Sequence, residues 1–112
     1  MKIEHFETKE LTAGLVEARL KNVEDVNNDF GESVLFEFDC TDKEGVTVEG
    51  MRLYCSAIIS SRSKLGRLVK SLGIKDPSVI LETKDLKKLI GKKTVLHCFN
   101  NSEGYQRLKL AE

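Results

Sequence analysis

Three times between Leu15 and Ser56 the chain alternates apolar and polar residues with a period of two, and this alternation constrains the fold more than any other feature. Period two sends successive side chains to opposite faces of an extended chain, so each stretch reads as a half-buried β-strand. In residues 15–26, Val16, Ala18 and Leu20 alternate with Glu17, Arg19 and Lys21. Val23 and Val26 no longer fit that phase, which predicts a bulge or bend after Leu20 in a long first strand. Val34, Phe36 and Phe38 alternate with Leu35, Glu37 and Asp39 in a second strand. In the third, residues 46–56, one face is expected to carry Val46, Val48, Gly50, Arg52 and Tyr54, the other Thr47, Glu49, Met51, Leu53 and Cys55. Residues 27–31 and 41–45 have turn chemistry, so the three strands form an antiparallel meander.

The period then changes. Leu65, Leu68, Val69 and Leu72 fall at helical spacing, predicting an amphipathic helix over residues 62–72, capped by Ser60 or Ser61 and stopped by Gly73 and Pro77. A shorter helix is expected at about 84–90, closed by Gly91. Residues 94–100 read as a fourth strand, 101–104 as a hairpin turn and 105–110 as a fifth strand. Strands with one main helix between the third and fourth give an all-β fold in the element order of the OB-fold, a five-stranded Greek-key barrel, here expected as a single domain over residues 1–112. Val16, Leu20, Phe36 and Phe38 are its expected interior, with the helix packed on it through Leu65, Leu68, Val69 and Leu72. An SH3-like barrel is the main rival and would not normally carry such a helix at this point; an α+β sandwich stays open.

Charge limits the function. Eighteen basic and eighteen acidic residues cancel, which excludes a chain that holds nucleic acid by bulk charge. Residues 1–56 carry 6 Lys+Arg and 13 Asp+Glu, a net of −7, whereas residues 57–112 carry 12 and 5, a net of +7. This opposition fits either an acidic sheet packed beside a basic helical segment or a basic surface facing a polyanion. No apolar run approaches the roughly 20 residues of a membrane span, and the first residues lack a signal-peptide core. Cys40, Cys55 and Cys98, odd in number and widely spaced, suit free thiols in a reducing compartment, so a cytoplasmic protein without membrane partners is expected.

Catalytic chemistry is thin. His5 and His97 stand in no metal-ligand spacing with the cysteines, and the Cys-x-x-Cys pattern is absent. Ser61 to Lys64 matches S-x-x-K without its partner motifs, and Gly91-Lys92 lacks a preceding glycine loop. Neither an enzyme nor a cofactor is expected.

What remains is basic and aromatic. Arg19 and Lys21 project from the first strand, Arg52 and Tyr54 from the third, and Tyr105, Arg107 and Lys109 from the fifth; Phe30 sits in the first turn and Lys92 before the fourth strand. Single-stranded nucleic acid binds OB barrels by stacking bases on aromatics while basic groups track phosphates. Tyr54, Tyr105, Phe30 and Phe99 are the candidate stacking groups. Glu17, Glu37, Asp39 and Glu49 lie on the same strands, and Asp25, Asp29 and Glu32 surround the first turn, positions a phosphate backbone would avoid.

Leu11-Thr12-Ala13-Gly14 before the first strand, Ser63-Lys64-Leu65 and Leu72-Gly73-Ile74 at the helix, Asp85-Leu86, Ile90-Gly91-Lys92, and Glu103-Gly104-Tyr105 in the last hairpin form a pattern over about residues 11–110. It resembles small OB-fold proteins of phages and prophages, generally taken as single-stranded DNA-binding or recombination accessory proteins. The resemblance implies non-sequence-specific binding of single-stranded DNA in replication or recombination, with replication or recombination proteins as further partners. It supplies no particular binding residue, so the candidate site rests on strand geometry. A homo-oligomer is also expected, since pairing barrels would lengthen a short groove and the opposed halves could pair head to tail. A protein-interaction or assembly OB domain that does not bind nucleic acid is the alternative.

Overall fold

The extended stretches pair as their alternation demands. The computed structural model describes residues 10–28, 31–60 and 62–111. Its strands are β1 (Gly14–Asn28), β2 (Gly31–Thr41), β3 (Thr47–Ser56), β4 (Lys93–Asn100) and β5 (Gln106–Leu110). They form one antiparallel sheet in the order β3-β2-β1-β4-β5, curled into a half-barrel with β3 and β5 as its edges. β1 is long because both flanks use it: β2 pairs with it from Glu17 to Asn28, and β4 pairs with it from Gly14 to Arg19.

Two bulges bend the sheet. In β1, Leu20 pairs with Phe38 and Asn22 with Glu37, so Lys21 is the extra residue and Val23 returns to the core, as the slip after Leu20 predicts. In β3, Met51 pairs with Phe38 but Val48 with Cys40, leaving Glu49 and Gly50 opposite Asp39. Gly50 takes φ 69°, a conformation that a residue with a side chain adopts only under strain, and its N–H donates to Asp39 Oδ1 at 3.1 Å. This second bulge corrects the expected faces of β3. It inverts the phase, so Val46 and Val48 pack against the core together with Met51, Leu53 and Cys55, while Arg52 and Tyr54 are exposed.

Between β3 and β4 lie α1 (Lys64–Ser71), a 3-10 turn at Pro77–Val79, α2 (Thr83–Leu86) and a second 3-10 turn at Lys87–Leu89. α1 begins later than its period suggests, because its cap is Ser63 and neither Ser60 nor Ser61. Ser63 Oγ accepts from the N–H of Gly66 (3.0 Å) and of Ser60 (2.9 Å), while Ser60 Oγ accepts from the Ser63 N–H (3.0 Å). Ser61 lies outside the described residues. That turn folds so closely onto the helix that a Cβ at Gly66 would stand 1.8 Å from the Ser60 carbonyl oxygen.

One core cluster joins sheet and helix. Val16, Leu20, Phe36, Phe38, Leu65, Leu68, Val69 and Leu72 are all buried in it, with Cys40, Cys55 and Cys98 filling strand positions. The segment before β1 ties the half-barrel across one end. Leu11 is buried and held through its N–H and carbonyl by the Gln106 amide (2.9 and 2.6 Å), and the Thr12 N–H donates to Asp42 Oδ2 at 2.8 Å. Asp42 Oδ1 also accepts from Glu44 and Val46 in the turn between β2 and β3. These donors, Thr12 first, hold the Asp42 carboxyl below its usual value. Among the described residues no helix is long and apolar enough to cross a membrane.

Candidate nucleic-acid interface

Sheet alternation that buries Val16, Ala18, Leu96, Cys98 and Leu108 turns their neighbours outward. On the side built by β1, β4 and β5, Arg19 lies opposite Lys93, Glu17 opposite Val95, Leu15 and Lys109 on either side of His97, and Phe99 opposite Arg107. Four cations thus share this face with one carboxylate, and that carboxylate, Glu17, is 3.0 Å from Lys93 Nζ. Two of the other three cations meet rings: Lys109 Nζ lies 5.1 Å from the Phe99 centroid and the Arg107 guanidinium 5.9 Å from that of Tyr105. Leu15 and Tyr105 are 64% and 61% exposed, leaving apolar and aromatic surface between the charges.

The curl adds a cleft. Residues 48–52 of β3 face the hairpin that enters β5 across a space of about 400 Å³, lined by Arg52, Tyr105 and Arg107 with Glu10 and Glu49. Three residues picked out in the sequence therefore meet here, although they come from distant parts of the chain.

The remaining candidates do not join them. Lys21 Nζ stands 3.7 Å from Asp39 and 3.9 Å from Glu49, so the β1 bulge residue is committed to two carboxylates. Lys92 sits in a turn docked on β1, where Leu20 donates to the Lys92 carbonyl (2.9 Å) and Gly91 to the Leu20 carbonyl (2.8 Å). Arg19, Lys21 and Lys92 thus group near the start of β4, six residues and about 20 Å from Phe99 at strand rise. Tyr54 lies at the far end of β3, where its carbonyl accepts from Lys64 Nζ at 2.8 Å. Its register partner Leu35 is buried yet belongs to no core cluster. Phe30 lies outside the described residues. The sequence reading missed Lys93 and His97, although residues 93, 95, 97 and 99 share one parity and Phe99 was already a candidate.

The thiols are packing groups. Burial is the first cause that pushes Cys40 up to about 12 and Cys55 up to about 11, and it raises Cys98 as well, so all three are protonated at neutral pH. Among the described residues no group of three or more His, Cys, Asp or Glu could hold a metal ion. No protein-family model and no curated protein matches this chain.

Proposed function

We propose that the half-barrel is an OB-type Greek-key barrel closed at one end by α1, and that it binds single-stranded DNA without sequence specificity as an accessory in replication or recombination. The observation that carries this reading is the basic and aromatic face of β1, β4 and β5, continuous at the sheet edge with the cleft of Arg52, Tyr105 and Arg107. Unstacked bases offer π-faces to Tyr105 and Phe99, and the cations beside each ring are placed to meet the phosphates. A duplex hides those π-faces. The face is local and the chain is neutral overall, so few phosphates are neutralised.

Titration of labelled single-stranded and duplex oligonucleotides at two salt concentrations tests the reading. Preference for the single strand is expected, with a log–log salt slope of about −2 to −3 for three or four contacts at about −0.7 each. Equal affinity for both forms, or none for either, overturns it.

A further inference from the structure

A second cleft, larger than the one beside Tyr105, lies between the far ends of β1, β2 and β3 and the segment that runs into α2. It holds about 590 Å³, enough for two or three aliphatic side chains. Its apolar surface includes Val34, Ile59, Ile80 and Leu81. Leu81 is 84% exposed, and Ile58, between two lining residues, is 68% exposed. Aliphatic groups presented this fully around a concavity mark a surface built for contact.

The rim carries the opposite sign from the face proposed for nucleic acid. Asp25, Glu32 and Glu82 stand around it with one cation, Lys84, whose Nζ is already 3.0 Å from Glu82. Among the described residues no cation pairs with Asp25 or Glu32; Asp25 is bonded instead by the Thr83 hydroxyl. A net charge of −2 around an apolar floor repels phosphates and attracts ammonium and guanidinium groups.

From the apolar cleft and its acidic rim we infer a protein-docking site for a peptide segment with two or three aliphatic side chains flanked by Lys or Arg. The aliphatic groups fill the space beneath Leu81, and the flanking cations meet Asp25, Glu32 and Glu82. The site does not depend on the nucleic-acid reading, because the two surfaces share no residue.

The probe is a fluorescein-labelled synthetic amphipathic peptide of Leu and Lys, compared by anisotropy with a peptide in which Glu replaces every Lys. The Lys form is expected to bind more tightly, and more weakly as salt rises. Leu81→Ser and Glu32→Lys, both at exposed positions, should each weaken it about tenfold. Single-stranded oligonucleotide affinity and the melting temperature should stay those of the parent. Equal binding of the Lys and Glu peptides, or binding untouched by both substitutions, overturns the inference. So does concentration-dependent self-association that Leu81→Ser abolishes, since that would assign the cleft to a second copy of the chain.

Discussion

The two outward faces of the sheet share β1 and one core, yet their charges behave in opposite ways. Toward β2 and β3 the face carries Glu24, Glu37, Asp39 and Glu49, and Lys21 is held within it between Asp39 and Glu49, whereas Arg52, in register with Glu37, stands at the edge cleft beside Tyr105 and Arg107. Toward β4 and β5 Arg19, Lys93, Arg107 and Lys109 share the face with Glu17, Arg19 lies in register with Asp39 on its other flank, and two of the four cations rest on rings. Net zero is thus the sum of an acidic and a basic surface rather than an even mixture. Such a molecule is oriented by a polyanion more than it is attracted to one. The contrast also modifies the expectation of an acidic sheet packed against a basic helical segment, since both signs occur on the sheet itself.

The largest effect should come from what the faces share. Phe36 is fully buried beneath them, and Phe36→Ala should cost about 3–5 kcal/mol in denaturant unfolding, a large part of the roughly 5–15 kcal/mol a domain has. A variant as stable as the parent would mean that the faces are not backed by one core. Next come the tyrosines, one on each side. Tyr105→Ala should weaken oligonucleotide binding by about 1–3 kcal/mol without changing its salt slope. Tyr54→Ala should leave that affinity intact and lower stability slightly by uncovering Leu35. Equal binding losses would erase the distinction between the faces.

A smaller effect separates the cations. Arg107→Ala should make the salt slope shallower by about 0.7, whereas Lys21→Ala should not change it, because its ammonium already faces two carboxylates. A change of slope in the Lys21 variant would place phosphate on the acidic side. The smallest effect concerns the tie between the two edges of the sheet. The depressed carboxyl of Asp42 adds stability above the ordinary value of about 3.9, and this is lost as the pH falls through the lower folded value. Asp42→Asn should therefore flatten the acid limb of the stability profile relative to the parent while oligonucleotide affinity at neutral pH is unchanged. Asp76 and Asp85, also lowered by hydrogen bonds, titrate alike in both proteins and cancel in that comparison. An acid limb identical in the two proteins would show that Asp42 does not hold the edges together.

Alternation and helical spacing are local properties, and what depended on them was legible in the sequence: the five strands, the main helix, the buried faces of Phe36 and Phe38, and the break after Leu20. The outward placement of Tyr105, Arg107 and Lys109 followed from the same period. The bulge at Gly50 was not legible, because a glycine in an alternating run also fits an unbroken strand; only its register against Asp39 inverts the phase. Nor was the helix cap, since three serines compete and the closure between Ser60 and Ser63 selects one. Which cations share a surface was beyond the sequence altogether. Arg52 and Arg107 meet because the curl brings the edges of the sheet toward each other, while Lys21, one residue from a buried leucine, is neutralised by carboxylates from two other strands. Strand pairing and curvature are non-local, so the tertiary structure alone decided which charges became a site and which became part of the frame.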